Sequence, residues 1–102
     1  MTLGVRPEAV TDIAEAALWY QARQAELGAA FVDEVDAAFA RIERGPLRYA
    51  AVHGPLRRAL VRRFPYAVYF DLDGGDVVVL AVLHQHRDGR VLSRRISTLK
   101  DE

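Results

Sequence analysis

The sequence predicts an α+β domain. An N-terminal strand and a two-helix antiparallel hairpin pack on a small, mainly antiparallel β-sheet, in the order β-α-α-β-β-β, and a short C-terminal segment closes the chain. Three observations predict it. Apolar residues recur at helical spacing from Pro7 to Arg44, with one break near Leu27-Gly28. Leu56–Arg87 then reads as three consecutive strands rich in β-branched and aromatic residues. Between the last two of these, Asp73-Gly74-Gly75-Asp76 supplies glycines for the positive φ of a tight hairpin turn.

Taken in order, Thr2–Arg6 is short, partly β-branched and followed by Pro7, which biases the residue before it towards extended backbone, so an edge strand is expected. Pro7 suits the first turn of a helix, where its missing N–H is no loss. Glu8 and Asp12 complement the positive end of that helix, and Val10, Ile13, Ala14, Ala17 and Leu18 lie near one face. The first helix is expected from about Pro7 to Glu26, with Gly28 as its left-handed cap. The second runs from about Ala29 to Arg44, with Phe31, Val35, Ala38 and Ile42 in one stripe, and Gly45-Pro46 ends it. Leu47–Pro55 is expected to be a loop. The strands follow at Leu56–Arg63, Tyr66–Leu72 and Val77–Leu83; the last is apolar without a break, as a central strand covered on both faces should be. After an Asp88-Gly89 turn, Arg90–Ile96 is a short basic segment, one helical turn or an edge strand, and Lys100-Asp101-Glu102 is a frayed end. Helices on one face leave the other face of the sheet at least partly open.

With 102 residues the chain makes a single domain, 1–102, able to bury roughly two-thirds of the surface its unfolded form exposes. It has no cysteine, which excludes thiol catalysis, disulfides and thiolate zinc sites. No apolar run approaches a membrane span and no signal peptide is apparent, so a cytoplasmic protein with no membrane partner is expected. Zero net charge argues against a general nucleic-acid coat, but the charge is unevenly placed. Residues 1–56 hold five Arg against eight Asp and Glu, and residues 57–102 hold nine Lys and Arg against six. The sheet half should therefore be basic.

That basic half carries the candidate chemistry. Arg57, Arg58, Arg62 and Arg63 open the sheet; His84, His86 and Arg87 close it, and Arg90, Arg94 and Arg95 follow. The arginines can hold phosphates, and His84 or His86 can act as acid or base near neutral pH. A histidine ending an apolar strand is, however, more often a hydrogen-bonded structural residue. His84 and His86 share a strand face near Asp88 but lack a clear third ligand, so no metal is expected. Trp19 and Tyr20 are either core anchors or contacts for a partner. No P-loop, dinucleotide fingerprint, nucleophile elbow or zinc motif occurs, and no cofactor is expected.

These residues carry a resemblance. Trp19-Tyr20 late in the first helix, Leu27-Gly28, Phe31 and Pro46 are its first half; Arg57-Arg58, Arg63-Phe64-Pro65-Tyr66, Val68-Tyr69, Val82-Leu83-His84 and Arg87-Asp88 are its second. Over about residues 5–95 the ordered set resembles the RelE/ParE superfamily of toxins from type II toxin–antitoxin operons, most of all the ParE (plasmid stabilisation) branch. The resemblance implies a small toxin neutralised by a cognate antitoxin that wraps an extended, partly helical segment around it. RelE-like members cleave messenger RNA in the ribosomal A site; ParE-like members are associated with poisoning DNA gyrase and have no recognised catalytic centre.

RelE-like members typically carry lysines on the sheet and a tyrosine or histidine near the C-terminus. Here Lys100 is the only lysine, and no tyrosine follows Tyr69. The expectation is therefore a ParE-like toxin that inhibits gyrase by binding. The hairpin, with Trp19 and Tyr20, is expected to meet the target. Arg57, Arg58, Arg62, Arg63, Arg87, Arg90, Arg94 and Arg95 are expected to meet antitoxin or nucleic acid. Two alternatives stay open: a ribosome-dependent endoribonuclease of messenger RNA using His84 or His86 with Arg63 and Arg87, and a degenerate toxin that only binds its antitoxin. A toxin dimer or a toxin–antitoxin heterotetramer is compatible with an uncovered sheet face.

Overall fold

The structure, a computed structural model, describes residues 2–100. Its elements are β1 (Leu3–Val5), α1 (Pro7–Arg23), α2 (Leu27–Arg44), a 3-10 turn (Pro46–Arg48), β2 (Ala51–His53), β3 (Leu56–Leu60), β4 (Tyr66–Asp73), β5 (Asp76–His84) and α3 (Gly89–Lys100). The sheet order is β1-β5-β4-β3-β2, with β1 parallel to β5 and the other pairs antiparallel. This is the α+β fold expected, with the helical hairpin on one face of the sheet and α3 on the other.

Pro7 begins α1 because Arg6 before it is extended (φ −62°, ψ 148°) and the ring fixes a helical φ from there on. The helix stops at Arg23, where Gln24 turns extended (φ −155°, ψ 127°), earlier than Glu26. Gly28 is not the cap of α1 but lies in the first turn of α2, buried against α1. A Cβ built on it would sit 2.8 Å from the Ala17 carbonyl oxygen and 3.0 Å from Gln21 Cβ. The glycine is there because the two helices touch at that point. Gly28→Ala should force them apart and cost about 1–3 kcal/mol in denaturant unfolding. A change below half a kcal/mol would refute the contact.

From α2, Phe31, Val35, Ala38 and Ile42 are buried, and they meet Ala59, Val61, Phe64, Tyr66, Val68, Phe70, Val77, Val79 and Val82 of the sheet half. β5 lies between β1 and β4 and is buried on both faces, as its apolar run predicts. At the β4–β5 turn, Gly74 and Gly75 have φ of 59° and 91°, between the paired residues Asp73 and Asp76. One bulge interrupts the β4–β5 ladder: Tyr69 pairs with Ala81 but Phe70 with Val79, leaving Leu80 as the extra residue. Leu80, Ala81 and Leu83 therefore join the opposite face, while Val79 and Val82 face the hairpin.

Two parts of the chain differ from expectation. The stretch 47–55 is not all loop: it holds the 3-10 turn and β2, which pairs with β3 around Gly54-Pro55. Three strand residues between Pro46 and Pro55 are too few to show an alternating pattern. The segment 90–96 is neither one helical turn nor an edge strand but the core of α3, a helix of 12 residues. Leu92, with Val91 and Ile96, packs on Leu56, Ala67, Tyr69, Leu80, Ala81 and Leu83, so the second sheet face is covered along β4 and β5. Of the expected frayed end, Asp101 and Glu102 lie outside the described residues. Among the described residues, no helix is long and apolar enough to cross a membrane.

Candidate functional site

Late α1 and the turn after β5, some 65 residues apart in sequence, come together at one end of the sheet. Their common base is an aromatic cluster. Tyr20 stacks on Phe31 (ring centroids 5.4 Å apart) and meets Phe64 edge-on (4.8 Å), while Tyr66 meets Phe31 (4.9 Å) and Tyr20 (6.1 Å). Tyr20 is thus mostly a core residue. Trp19 lies above it, edge-on at 5.0 Å, with 41% of its surface exposed. Two arginines face the indole: the guanidinium carbon of Arg23 is 3.5 Å from the ring centroid and that of Arg87 is 5.8 Å away. Arg87 Nη2 also donates to the Tyr66 hydroxyl at 3.4 Å.

The turn that aims Arg87 is built by its own side chains. The His84 N–H donates to Asp88 Oδ2 (2.8 Å), and the His86 N–H donates to His84 Nδ1 (3.1 Å). The Gln85 N–H donates to the Pro65 carbonyl (2.9 Å), which ties this turn to the β3–β4 loop. The His84 ring stands edge-on to Tyr66 at 5.4 Å. Burial, then the positive charge of Arg87, holds its imidazole below the usual histidine range against the pull of Asp88. An imidazole whose Nδ1 accepts a backbone N–H must carry its proton on Nε2, which fits a neutral ring.

A sign follows for stability. The unfolded His84 binds a proton more readily than the folded one, so stability is full above the ordinary histidine value of about 6.5 and falls as pH drops from there through the lower folded value. Melting temperature between pH 7 and pH 5 should therefore fall more steeply for the wild type than for His84→Asn, whose side-chain oxygen cannot titrate. Parallel curves would remove His84 from this role.

Burial raises the hydroxyl pKa of both Tyr20 and Tyr66, so each stays protonated at neutral pH. Arg63 lies on the Phe64 side of the cluster, its guanidinium 5.6 Å from that ring. Its φ of 72° makes it the only described non-glycine residue in the left-handed region, as the short β3–β4 loop requires.

The structure divides the expected site residues. Trp19, Tyr20, His84, His86 and Arg87 gather at one place, while Arg63 lies over the Phe64 ring of the aromatic base. Arg57 points towards the hairpin face and donates to the Tyr49 carbonyl, holding the loop before β2. Arg95 forms a two-pronged pair with Asp12, its Nη2 2.8 Å from Oδ1 and its Nη1 2.9 Å from Oδ2, and Nη1 also donates to the Leu80 carbonyl at 3.0 Å. Arg58 on β3, Arg62 in the β3–β4 loop, and Arg90 and Arg94 on α3 are exposed. Two participants were missed. Arg23 was legible from its position four residues after Trp19; Asp12, 83 residues from Arg95, had no local signal.

Beside the cluster runs a groove of about 560 Å3 between α1 and the start of α3. Ala16, Val82, Leu83 and Val91 form its apolar surfaces, Trp19, Tyr66 and Arg87 close one end, and Glu8 and Glu15 line the α1 wall. Among the described residues, no buried side-chain N or O atom lacks a partner, and no group of three or more His, Asp or Glu is placed to hold a metal ion.

Residues 4–89 match the family model described as ParE toxin of type II toxin-antitoxin system, parDE. No curated protein matches the chain significantly. Among solved structures, one described as the chromosomal ParDE TA system from P. aeruginosa is similar with a TM-score of 0.74 over 82% of this chain and 95% of that one. At 16% sequence identity this similarity is one of fold.

Proposed function

The chain belongs to the ParE toxin family, a toxin of the type II class, and we propose that it acts by binding rather than by chemistry of its own. Its target is DNA gyrase, poisoned as a complex with cut DNA in the cytoplasm, and a cognate antitoxin neutralises it. One observation carries the binding reading: an exposed Trp19 faced by Arg23 and Arg87, on a rigid aromatic base. Tryptophan and arginine are the residue types that dominate binding energy at protein interfaces. Several polar groups of this region are otherwise engaged. His84 is neutral and accepts the His86 N–H, Tyr20 and Tyr66 are held protonated, and Arg95 and Arg57 serve the fold. The exposed arginines Arg58, Arg62 and Arg90, on β3, in the β3–β4 loop and at the start of α3, are offered to the antitoxin.

The ribonuclease alternative keeps one supporting observation, the convergence of His84, His86 and Arg87. A supercoiling assay with purified toxin and gyrase separates the two. Lost supercoiling with linearised plasmid, reversed by the antitoxin, is expected. Trp19→Ala should abolish it, while His84→Ala and His86→Ala should not. Arg63→Gly removes a cation where glycine suits the backbone, so its fold should hold. Intact supercoiling, together with message cleavage on ribosomes that His86→Ala and Arg63→Gly abolish, would replace this reading with the nuclease.

A further inference from the structure

The α1–α3 groove has an ordered polarity along its α1 wall. Along α1, Glu8, Asp12, Glu15, Trp19 and Arg23 are spaced by four, three, four and four residues, so they form one stripe on one helix face. Over a helical rise of 1.5 Å per residue this stripe is roughly 22 Å long. Its first part is acidic, its middle is Trp19, and its end is basic, with Arg87 joining Arg23. The helix dipole accounts for Glu8 in the first turn and Arg23 in the last. It does not account for Glu15 in the middle of the helix, nor for a 41% exposed indole at the mouth of an apolar-floored groove. Asp12 is occupied by Arg95 and the Val82 N–H; Glu8 and Glu15 are exposed and act on Arg95 only through their charge, beside the Asp12 pair that holds it.

We propose that this groove seats an amphipathic helix of the target protein whose charges run the opposite way. Basic residues of that helix lie against Glu8 and Glu15, an aliphatic or aromatic residue covers Trp19, and an acidic residue meets Arg23 and Arg87. Its apolar side rests on Ala16, Val82 and Val91, in the manner of a helix laid into a groove. A polyanion is the wrong occupant, because phosphates would run along the acidic wall. The charge order fixes the direction in which the helix lies, which is what complementary charges contribute most to recognition. The proposal rests on the reading that the toxin acts by binding gyrase.

The test is binding of full-length toxin to purified gyrase and, separately, to its antitoxin. Wild type is compared with Glu8→Gln/Glu15→Gln, Glu8→Lys/Glu15→Lys and Trp19→Ala, each first checked for wild-type melting. The charge reversal should weaken gyrase binding at least tenfold, the neutral pair should weaken it less, and Trp19→Ala at least tenfold, with antitoxin affinity changed under threefold. Gyrase binding that survives charge reversal overturns this proposal while leaving the gyrase reading in place. Loss of antitoxin binding alone overturns it too, by making the antitoxin the occupant. Failure of the wild type to bind gyrase overturns both.

Discussion

Phe31→Ala is expected to destabilise the protein by about 3–5 kcal/mol in denaturant unfolding, the range for removing a buried aromatic ring. Phe31 is fully buried and touches Tyr20, Phe64 and Tyr66 at centroid distances of 5.4, 5.3 and 4.9 Å. It is the point where α2, α1 and the sheet meet, so the cavity left behind cannot be closed by moving one side chain. The consequence reaches the surface. Tyr20 loses its stacking partner, and Trp19, which stands edge-on to Tyr20, loses its support. Trp19 fluorescence in the folded variant should therefore shift and broaden even at temperatures well below unfolding. Phe31→Leu, which keeps most of the volume, should cost about half as much and leave the fluorescence close to wild type. If Phe31→Ala cost less than 1.5 kcal/mol, the aromatic base would not be the rigid support inferred from its geometry.

Asp12→Ala is the second large effect, about 2–3 kcal/mol, because it leaves two groups without partners. β1 pairs with β5 only as far as Val79, and beyond the bulge the Val82 N–H and the Leu80 carbonyl are met by side chains instead. Asp12 Oδ2 accepts the first at 3.1 Å and Arg95 Nη1 donates to the second at 3.0 Å, while the two side chains hold each other. With side chains only 20% and 10% exposed, this pair is screened far less than a surface ion pair. The pair ties α3 to α1 and to the edge of β5, so its loss should loosen α3, although Leu92, Val91 and Ile96 still pack on the sheet. Amide exchange in α3 should accelerate more than in α2. Arg95→Ala should cost a similar amount, and the double variant less than the two losses added together. Strict additivity would show that the two residues act separately.

Much of this architecture is written in local patterns. The stripe from Phe31 to Ile42, Pro7 at the start of α1, and the Gly74-Gly75 turn each specify an element through dihedral preferences and hydrophobic periodicity, which need only near neighbours. The unbroken Val77–Leu83 run likewise predicts the central strand. Glycine 28 shows where such reasoning stops. A glycine between two helical patterns serves equally as a cap or as a contact point, and only the packing of α1 against α2 distinguishes the two. β2 escaped because three residues cannot carry a period, and α3 because a basic helix docked by a few apolar residues resembles a solvated tail.

The candidate site divides along the same line. By itself, the sequence determined the family pattern, the presence of Trp19, His84, His86 and the arginines, and the charge asymmetry between the halves. Tertiary structure alone decided which of these meet. It set Arg87 beside Trp19 and Tyr66, bound Arg95 to Asp12 and Arg57 to the Tyr49 carbonyl, and turned His84 into the acceptor that shapes its own turn. The physical reason is range. Helix and strand preferences act over a few residues, whereas the partner of a charge is set by the path of the whole chain.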